Sequence, residues 1–206
     1  MLTVKGGKPS PFVRKVIVAL EEKGIPYEQE DFAPFPKTEE LLALNPMGKI
    51  PILQDGDHFV PDSSVIIAYL ERLHPEPSVY PSDPQEYARA LFIEEFSDTR
   101  MVDVIGALFF ERFVKPHVFQ QETDQARCAE IVETELPPVL DQVEGFLAEG
   151  ATTILPRFSV ADIGVGCQLA SLEFAGEGLD ASRNPKLATY AAAVLARPSF
   201  KAALPS

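Results

Sequence analysis

The chain has 206 residues, 46% of them hydrophobic and 24% charged, which is enough to bury a sizeable core and excludes wholesale disorder. Eighteen basic against 31 acidic side chains leave a formal charge of −13, which repels phosphate backbones and anionic lipid and speaks against nucleic-acid or membrane-surface partners. No apolar run approaches the eighteen or so residues a membrane helix needs. Lys5, Lys8, Arg14 and Lys15 break up any signal peptide, so the expected compartment is the cytoplasm.

Leu2 to Lys5 reads as a short strand, with Gly6-Gly7 as the turn after it. Pro11 to Gly24 reads as a helix: Val13, Val16, Ile17 and Leu20 recur at helical spacing, Ser10 stands at the N-cap, Pro11 at the first helical position and Gly24 at the C-terminal cap. Tyr27 to Phe32 is the second expected strand, and Thr38 to Leu44 a short helix stopped by Asn45-Pro46. Ile50 to Gln54 and His58 to Val60 bracket Asp55-Gly56-Asp57, a hairpin signal. Asp62 or Ser63 then caps a helix with the apolar face Val65, Ile66, Tyr69, Leu70 and Leu73.

A composition break follows, because His74 to Pro84 holds Pro75, Pro77, Pro81 and Pro84, which favour an extended connection. Beyond it the period is helical throughout. The spacing predicts helices over Gln85 to Val114, broken near Ser97 to Arg100 or Gly106, and over Thr123 to Glu149, with a kink or a break at Pro137-Pro138. Two more follow, over Ser159 to Phe174 and Pro185 to Ala196. The fold class is α/β plus all-α: a β-α-β-α-β-β-α domain over 1–76, a linker over 77–84 and an all-helical domain over 85–206.

Four features of the first domain can carry chemistry. Ser10 at a helix start has free N–H groups and the positive end of the macrodipole beside it, an environment for an anion such as a thiolate; it also serves as a plain N-cap. In Asn45-Pro-Met-Gly-Lys-Ile-Pro51, the proline marks an edge or a bend, and a cis bond before it would turn the Ile50 backbone toward a ligand. Asp62-Ser63-Ser64 is either a set of caps or a receiver for an α-amino-acid end, the carboxylate meeting an ammonium and the hydroxyl a carboxylate. Lys5, Lys8, Arg14, Lys15, Lys23, Lys37 and Lys49 make the first fifty residues less negative than the rest, although most are expected to be solvated. His58, His74 and His117 are scattered, and Cys128 and Cys167 have no paired spacing, so neither a metal nor a disulfide framework is expected. Ser159-Val-Ala-Asp162 reads as a structural capping-box variant, and Phe109, Phe110 and Phe113 as helix-helix core, one face of which could line an apolar pocket.

In order, these residues resemble a cytosolic glutathione transferase: a thioredoxin-like first domain, a proline-rich linker and an all-helical second domain. Ser10-Pro-Phe-Val-Arg-Lys-Val16, Asn45 to Pro51, Asp62-Ser63 with Ile66 and Tyr69-Leu70, and Ser159 to Asp162 carry the likeness, which spans essentially the whole chain. The resemblance implies that Ser10 hydrogen-bonds the glutathione sulfur and favours its thiolate, the nucleophile. It implies that Ile50, before a cis Pro51, offers its backbone to the cysteinyl unit, and that Asp62 and Ser63 hold the γ-glutamyl ammonium and carboxylate. Lys37 and Lys49 are candidates for the glycine carboxylate. Phe12, Phe35, Met101, Ile105 and Phe109 are candidates for the pocket of a small hydrophobic electrophile. A homodimer and a detoxifying role are also implied, with glutathione as co-substrate and no metal.

The sequence departs from relatives in several places. Lys5 stands where related bacterial chains carry a tyrosine, no cysteine lies in the first domain, and Val13 replaces a cysteine found in some relatives. Two other readings stand beside the transferase: a non-catalytic binding or scaffold protein on the same fold, and a glutathione-dependent isomerase or dehalogenase.

Overall fold

The first eighty residues fold into a four-stranded sheet of order β2-β1-β3-β4, made of β1 (Leu2–Lys5), β2 (Tyr27–Glu30), β3 (Ile52–Asp55) and β4 (His58–Pro61). β1 runs parallel to β2 and antiparallel to β3, and β3 and β4 form the expected hairpin. Helix α1 (Pro11–Lys23) connects β1 to β2, and Gly24 ends it at φ +62°, in the left-handed region that glycine occupies without penalty. Val16, Ile17 and Leu20 on α1, with Ile52 and Leu53 on β3, have no exposed surface. Each such side chain contributes about 1.5–3 kcal/mol through removal from water. Helix α2 (Glu39–Leu44) is capped by the Thr38 hydroxyl, and α3 (Ser63–Leu73) packs Ile66, Ile67 and Leu70 into the same core beside α1.

The structure describes residues 1–205 as a computed structural model, divided into two units: Met1–Val79 with the chain from Arg197 onward, and Tyr80–Ala196. The segment from Arg197 makes its contacts with the first unit. A short helix, α11 (Pro198–Ala203), packs there on α1, and the Arg197 guanidinium forms a two-pronged ion pair with Glu22 at 2.7 and 2.9 Å.

The second unit is helical: α4 (Pro84–Phe96), α5 (Ala107–Phe109), α6 (Lys115–Val118), α7 (Gln125–Glu130), α8 (Leu136–Phe146), α9 (Val160–Phe174) and α10 (Pro185–Leu195). The break expected near Ser97 is instead a widening, with π-type hydrogen bonding over Ser97–Gly106 and again over Phe110–Val114. Side chains loosen the α ladder at its start: the Ser97 hydroxyl donates to the Glu94 carbonyl at 2.6 Å and Thr99 to the Glu95 carbonyl at 2.7 Å. A third widening, Ile131–Glu135, lies just before Pro137-Pro138, whose missing N–H groups cannot continue the ladder. Helix α9 is buried from Val160 to Leu172 and forms the axis of this unit. No helix among the described residues is long and apolar enough to cross a membrane.

Candidate functional site

Three backbone segments meet just beyond the end of β1. Gly6 follows that strand at φ +146°, and a Cβ there would lie 2.5 Å from Val13 Cγ2 and 3.3 Å from Ile50 Cβ. A glycine is required by both the backbone angle and the space. This close approach brings the first turn of α1 and the Ile50-Pro51 segment together. The β1–β3 ladder ends at the Lys5–Ile52 pair and the β3–β4 ladder at Ile52–Pro61, so Ile50 and Asp62 both stand past the end of the sheet. On the other side, Lys15 of α1 places its ammonium 3.2 Å from the Ser64 hydroxyl in the first turn of α3. Ser10, Ile50-Pro51 and Asp62-Ser63-Ser64 therefore surround one end of the first unit, toward which two helix N-termini turn.

The details of each group bear on what it can bind. Ser10 is half-buried and its Oγ accepts from Val13 N–H at 3.4 Å, a long cap bond that leaves the hydroxyl hydrogen available. The Ile50-Pro51 bond is cis, and neither the N–H nor the C=O of Ile50 is hydrogen-bonded among the described residues. Asp62 sits at φ +76°, ψ 131°, a backbone conformation that costs a non-glycine residue about 1–3 kcal/mol. Its Oδ1 accepts from the N–H groups of Ser64 at 3.0 Å and Val65 at 3.2 Å. Ser63 is 2% exposed, and its hydroxyl has no hydrogen-bond partner among the described residues. Lys37 and Lys49 are both exposed, Lys37 just before α2 and Lys49 in the segment after it. The Lys37 stem crosses Gly48 and its ammonium reaches the Met47 carbonyl at 3.3 Å, while the buried Asn45 amide holds the Lys49 carbonyl at 2.7 Å.

The expected apolar lining divides between the units. Phe12 is half-buried on the first turn of α1, and Phe35 is 40% exposed in the loop after β2. Met101 and Ile105 lie in the π-type stretch with no exposed surface, inside the core of the helical unit, so in this conformation they offer nothing to a ligand. Phe109 keeps 8% of its surface and begins a stack of rings, with Phe113 at 4.9 Å and His117 a further 4.8 Å from Phe113.

The basic residues of the first domain were expected to be mostly solvated, and here the structure corrects the sequence reading. Lys5, Arg14, Lys15 and Lys23 are all at least nine-tenths buried. Their partners explain it. The Lys5 ammonium meets Glu30 at 2.6 Å and lies 5.8 Å from the centre of the Phe32 ring. Lys23 is held by Glu71 and the Pro77 carbonyl, at 2.7 and 2.8 Å. Arg14 donates to the carbonyls of Lys8 and Pro9 at 3.1 and 2.8 Å. One signal in the sequence pointed to Arg14 and Lys15: cations in the first turn of a helix oppose the macrodipole and need another partner. Among the described residues, no group of three or more His, Cys, Asp or Glu side chains could hold a metal ion.

With this geometry, comparison with known proteins is informative. The glutathione S-transferase N-terminal domain model matches residues 8–78, and the C-terminal domain model matches residues 109–206. The uncharacterized GST-like protein YibF of Escherichia coli is 32% identical over 171 residues, 82% of this chain and 81% of the relative. A glutathione S-transferase from Rhodospirillum rubrum superposes with a TM-score of 0.90 at 25% identity, covering 100% of this chain and 93% of the other. Another, from Methylobacterium radiotolerans in complex with glutathione sulfonate, gives 0.81 at 29% identity, covering 99% and 94%. The chain belongs to the glutathione S-transferase family.

Proposed function

We propose that the chain is a glutathione transferase that adds the glutathione thiolate to a small hydrophobic electrophile, by conjugate addition or aromatic substitution. The observation that carries this reading is Asp62. A non-glycine residue held at φ +76° beside a serine hydroxyl without a partner among the described residues is backbone strain at a place where a ligand can use it. Asp62 receives the γ-glutamyl ammonium, and Ser63 with the N-terminus of α3 receives its carboxylate. The N–H and C=O of Ile50, without partners among the described residues, take the cysteinyl backbone in the manner of an added strand. Lys37 and Lys49 attract the glycine carboxylate. Support for this ligand also comes from the complex of the Methylobacterium relative with glutathione sulfonate.

Ser10 is the catalytic residue in this reading. Its hydroxyl donates to the sulfur and favours the thiolate over the thiol, at the positive end of α1, and it forms no bond to the substrate. Positioning of thiolate and electrophile supplies the rest of the acceleration.

Two measurements test it. Saturating glutathione, at about a hundred times its dissociation constant, should stabilise the fold by about 2.7 kcal/mol, a rise of several degrees in Tm. Ser10→Ala should lower kcat by about 10- to 100-fold with an activated chloronitroarene, while glutathione affinity stays within about threefold. A melt that ignores glutathione removes the ligand; unchanged turnover in the alanine variant removes the role of Ser10.

A further inference from the structure

The turn that carries Ser10 is tied down from two directions, and neither tie was legible as such in the sequence. From within, the Arg14 guanidinium, 1% exposed, donates from one nitrogen to both the Lys8 and the Pro9 carbonyls. From outside, the Lys8 ammonium reaches the Ala202 carbonyl at 2.8 Å, in the last turn of α11. That carbonyl is one of the acceptors a helix leaves unpaired at its C-terminus, where a lysine is well placed to serve it. A third bond closes the turn, from Ser10 N–H to the Gly7 carbonyl at 3.0 Å. A buried guanidinium one turn into α1 is disfavoured by the helix dipole and by desolvation, and its presence follows from the two carbonyls it fixes.

We propose that Arg14 and Lys8 are positioning residues for the reaction: Arg14 clamps the Lys8-Pro9 turn, Lys8 moors the same turn to α11, and together they set the distance from Ser10 Oγ to the glutathione sulfur. This rests on the transferase reading above and goes beyond it, because it makes the C-terminal helix part of the machinery that activates the thiol. Arginine suits the inner clamp because its rigid fork presents several donors in fixed directions, and a lysine offers one flexible ammonium. A hydroxyl displaced by even a fraction of an ångström donates less well to sulfur, and the thiol then holds its proton to higher pH.

The test compares wild type, Arg14→Met, Arg14→Lys and Lys8→Met by thermal melt, glutathione affinity by calorimetry and the pH titration of the ultraviolet thiolate absorbance of bound glutathione. In Arg14→Met the thiol pKa should rise by about one unit and kcat below that pKa should fall about tenfold, with affinity changed less than about threefold. Arg14→Lys should recover part of the shift, and Lys8→Met should show a smaller shift in the same direction. A merely structural role would lower Tm and leave the thiol pKa of the folded fraction at the wild-type value. That result in Arg14→Met and Lys8→Met overturns the proposal. Should Arg14→Met fail to fold, Lys8→Met decides alone, a raised thiol pKa supporting the mooring and an unchanged one ending it. Wild-type protein that binds no glutathione ends both readings before any variant is made, whereas wild-type binding with unshifted variants ends only this one.

Discussion

Asp62 opens α3 with a strained backbone and a partly exposed carboxylate, while Asp162, in the first turn of α9, has none of its surface in water. Both accept hydrogen bonds from backbone N–H groups near a helix start. Asp62 spends one oxygen on the N–H groups of its own helix, Ser64 and Val65. Asp162 spends both, Oδ1 on the Ile154 N–H at 2.8 Å and Oδ2 on the Ser159 N–H at 2.9 Å, so it joins the loop before α9 to the helix. A helix-terminal carboxylate becomes a fastener when the loop closes over it, and stays available to a ligand when the loop leaves it open.

The comparison breaks most visibly at Asp162. Asp162→Ala leaves two N–H groups without acceptors, one in the loop at Ile154 and one at the Ser159 cap of the buried α9, at a cost of about 3 kcal/mol. At about 2–4 °C per kcal/mol for a chain of this length, Tm at pH 5 should drop by about 6–12 °C. Burial also pushes the carboxyl up to about 6, against the hydrogen bonds from Ile154 and Ser159, which pull it down. The ionised form is thus disfavoured in the folded state relative to the unfolded one. The stability this group contributes is complete below about pH 4 and is lost as pH rises through about 6. The loss is on the order of 3 kcal/mol, at about 1.4 kcal/mol per pH unit. Asp162→Asn, neutral throughout, should flatten that part of the Tm–pH curve. A variant that keeps the wild-type decline between pH 4 and 6 would mean that Asp162 is not its source.

At Asp62 the effect should appear in binding. Asp62→Asn keeps an oxygen for the Ser64 and Val65 N–H groups and removes the charge. Glutathione affinity should fall about tenfold, the loss of about 1.4 kcal/mol from one charge-assisted contact, while Tm without ligand moves by less than about 2 °C. Calorimetry and a melt on the same preparation separate the two. Equal affinities would make Asp62 a cap like any other.

The sequence made the order of elements readable, because the period changes from strand to helix at well-marked turns and the Ser10-Pro11 and Ser159-to-Asp162 starts obey local rules. It also marked every segment that meets at the end of β1. What it hid depends on contacts far apart in the chain. The π-type widening after Phe96 comes from hydroxyls whose rotamers are set by packing, with Ser97 Oγ 2.3 Å from where a Cβ on Gly164 would stand. Arg14 and Lys15 look like surface charges until the carbonyls of Lys8 and Pro9 and the hydroxyl of Ser64 are placed beside them. Helix α11 is six residues long, too short for periodicity, although Pro198 at its start and the buried Phe200 and Ala203 one turn apart were its traces.

The smallest effects give the sharpest separation, since they concern two buried serines at the two helix starts. Ser159 gives its backbone N–H to Asp162 and is 1% exposed; Ser63 is 2% exposed and its hydroxyl has no partner among the described residues. Ser159→Ala should lower Tm by about 2–4 °C, the worth of about 1 kcal/mol for a helix cap, and leave glutathione affinity as it was. Ser63→Ala should do the reverse, weakening glutathione by about three- to fivefold, the usual contribution of one neutral hydrogen bond, with Tm within about 1 °C. Burial alone cannot produce such a crossing, because the two residues are equally hidden from water. Matching losses of Tm in both variants, with affinity untouched, would make the two helix starts the same kind of structure and leave the strain at Asp62 without a ligand to account for it.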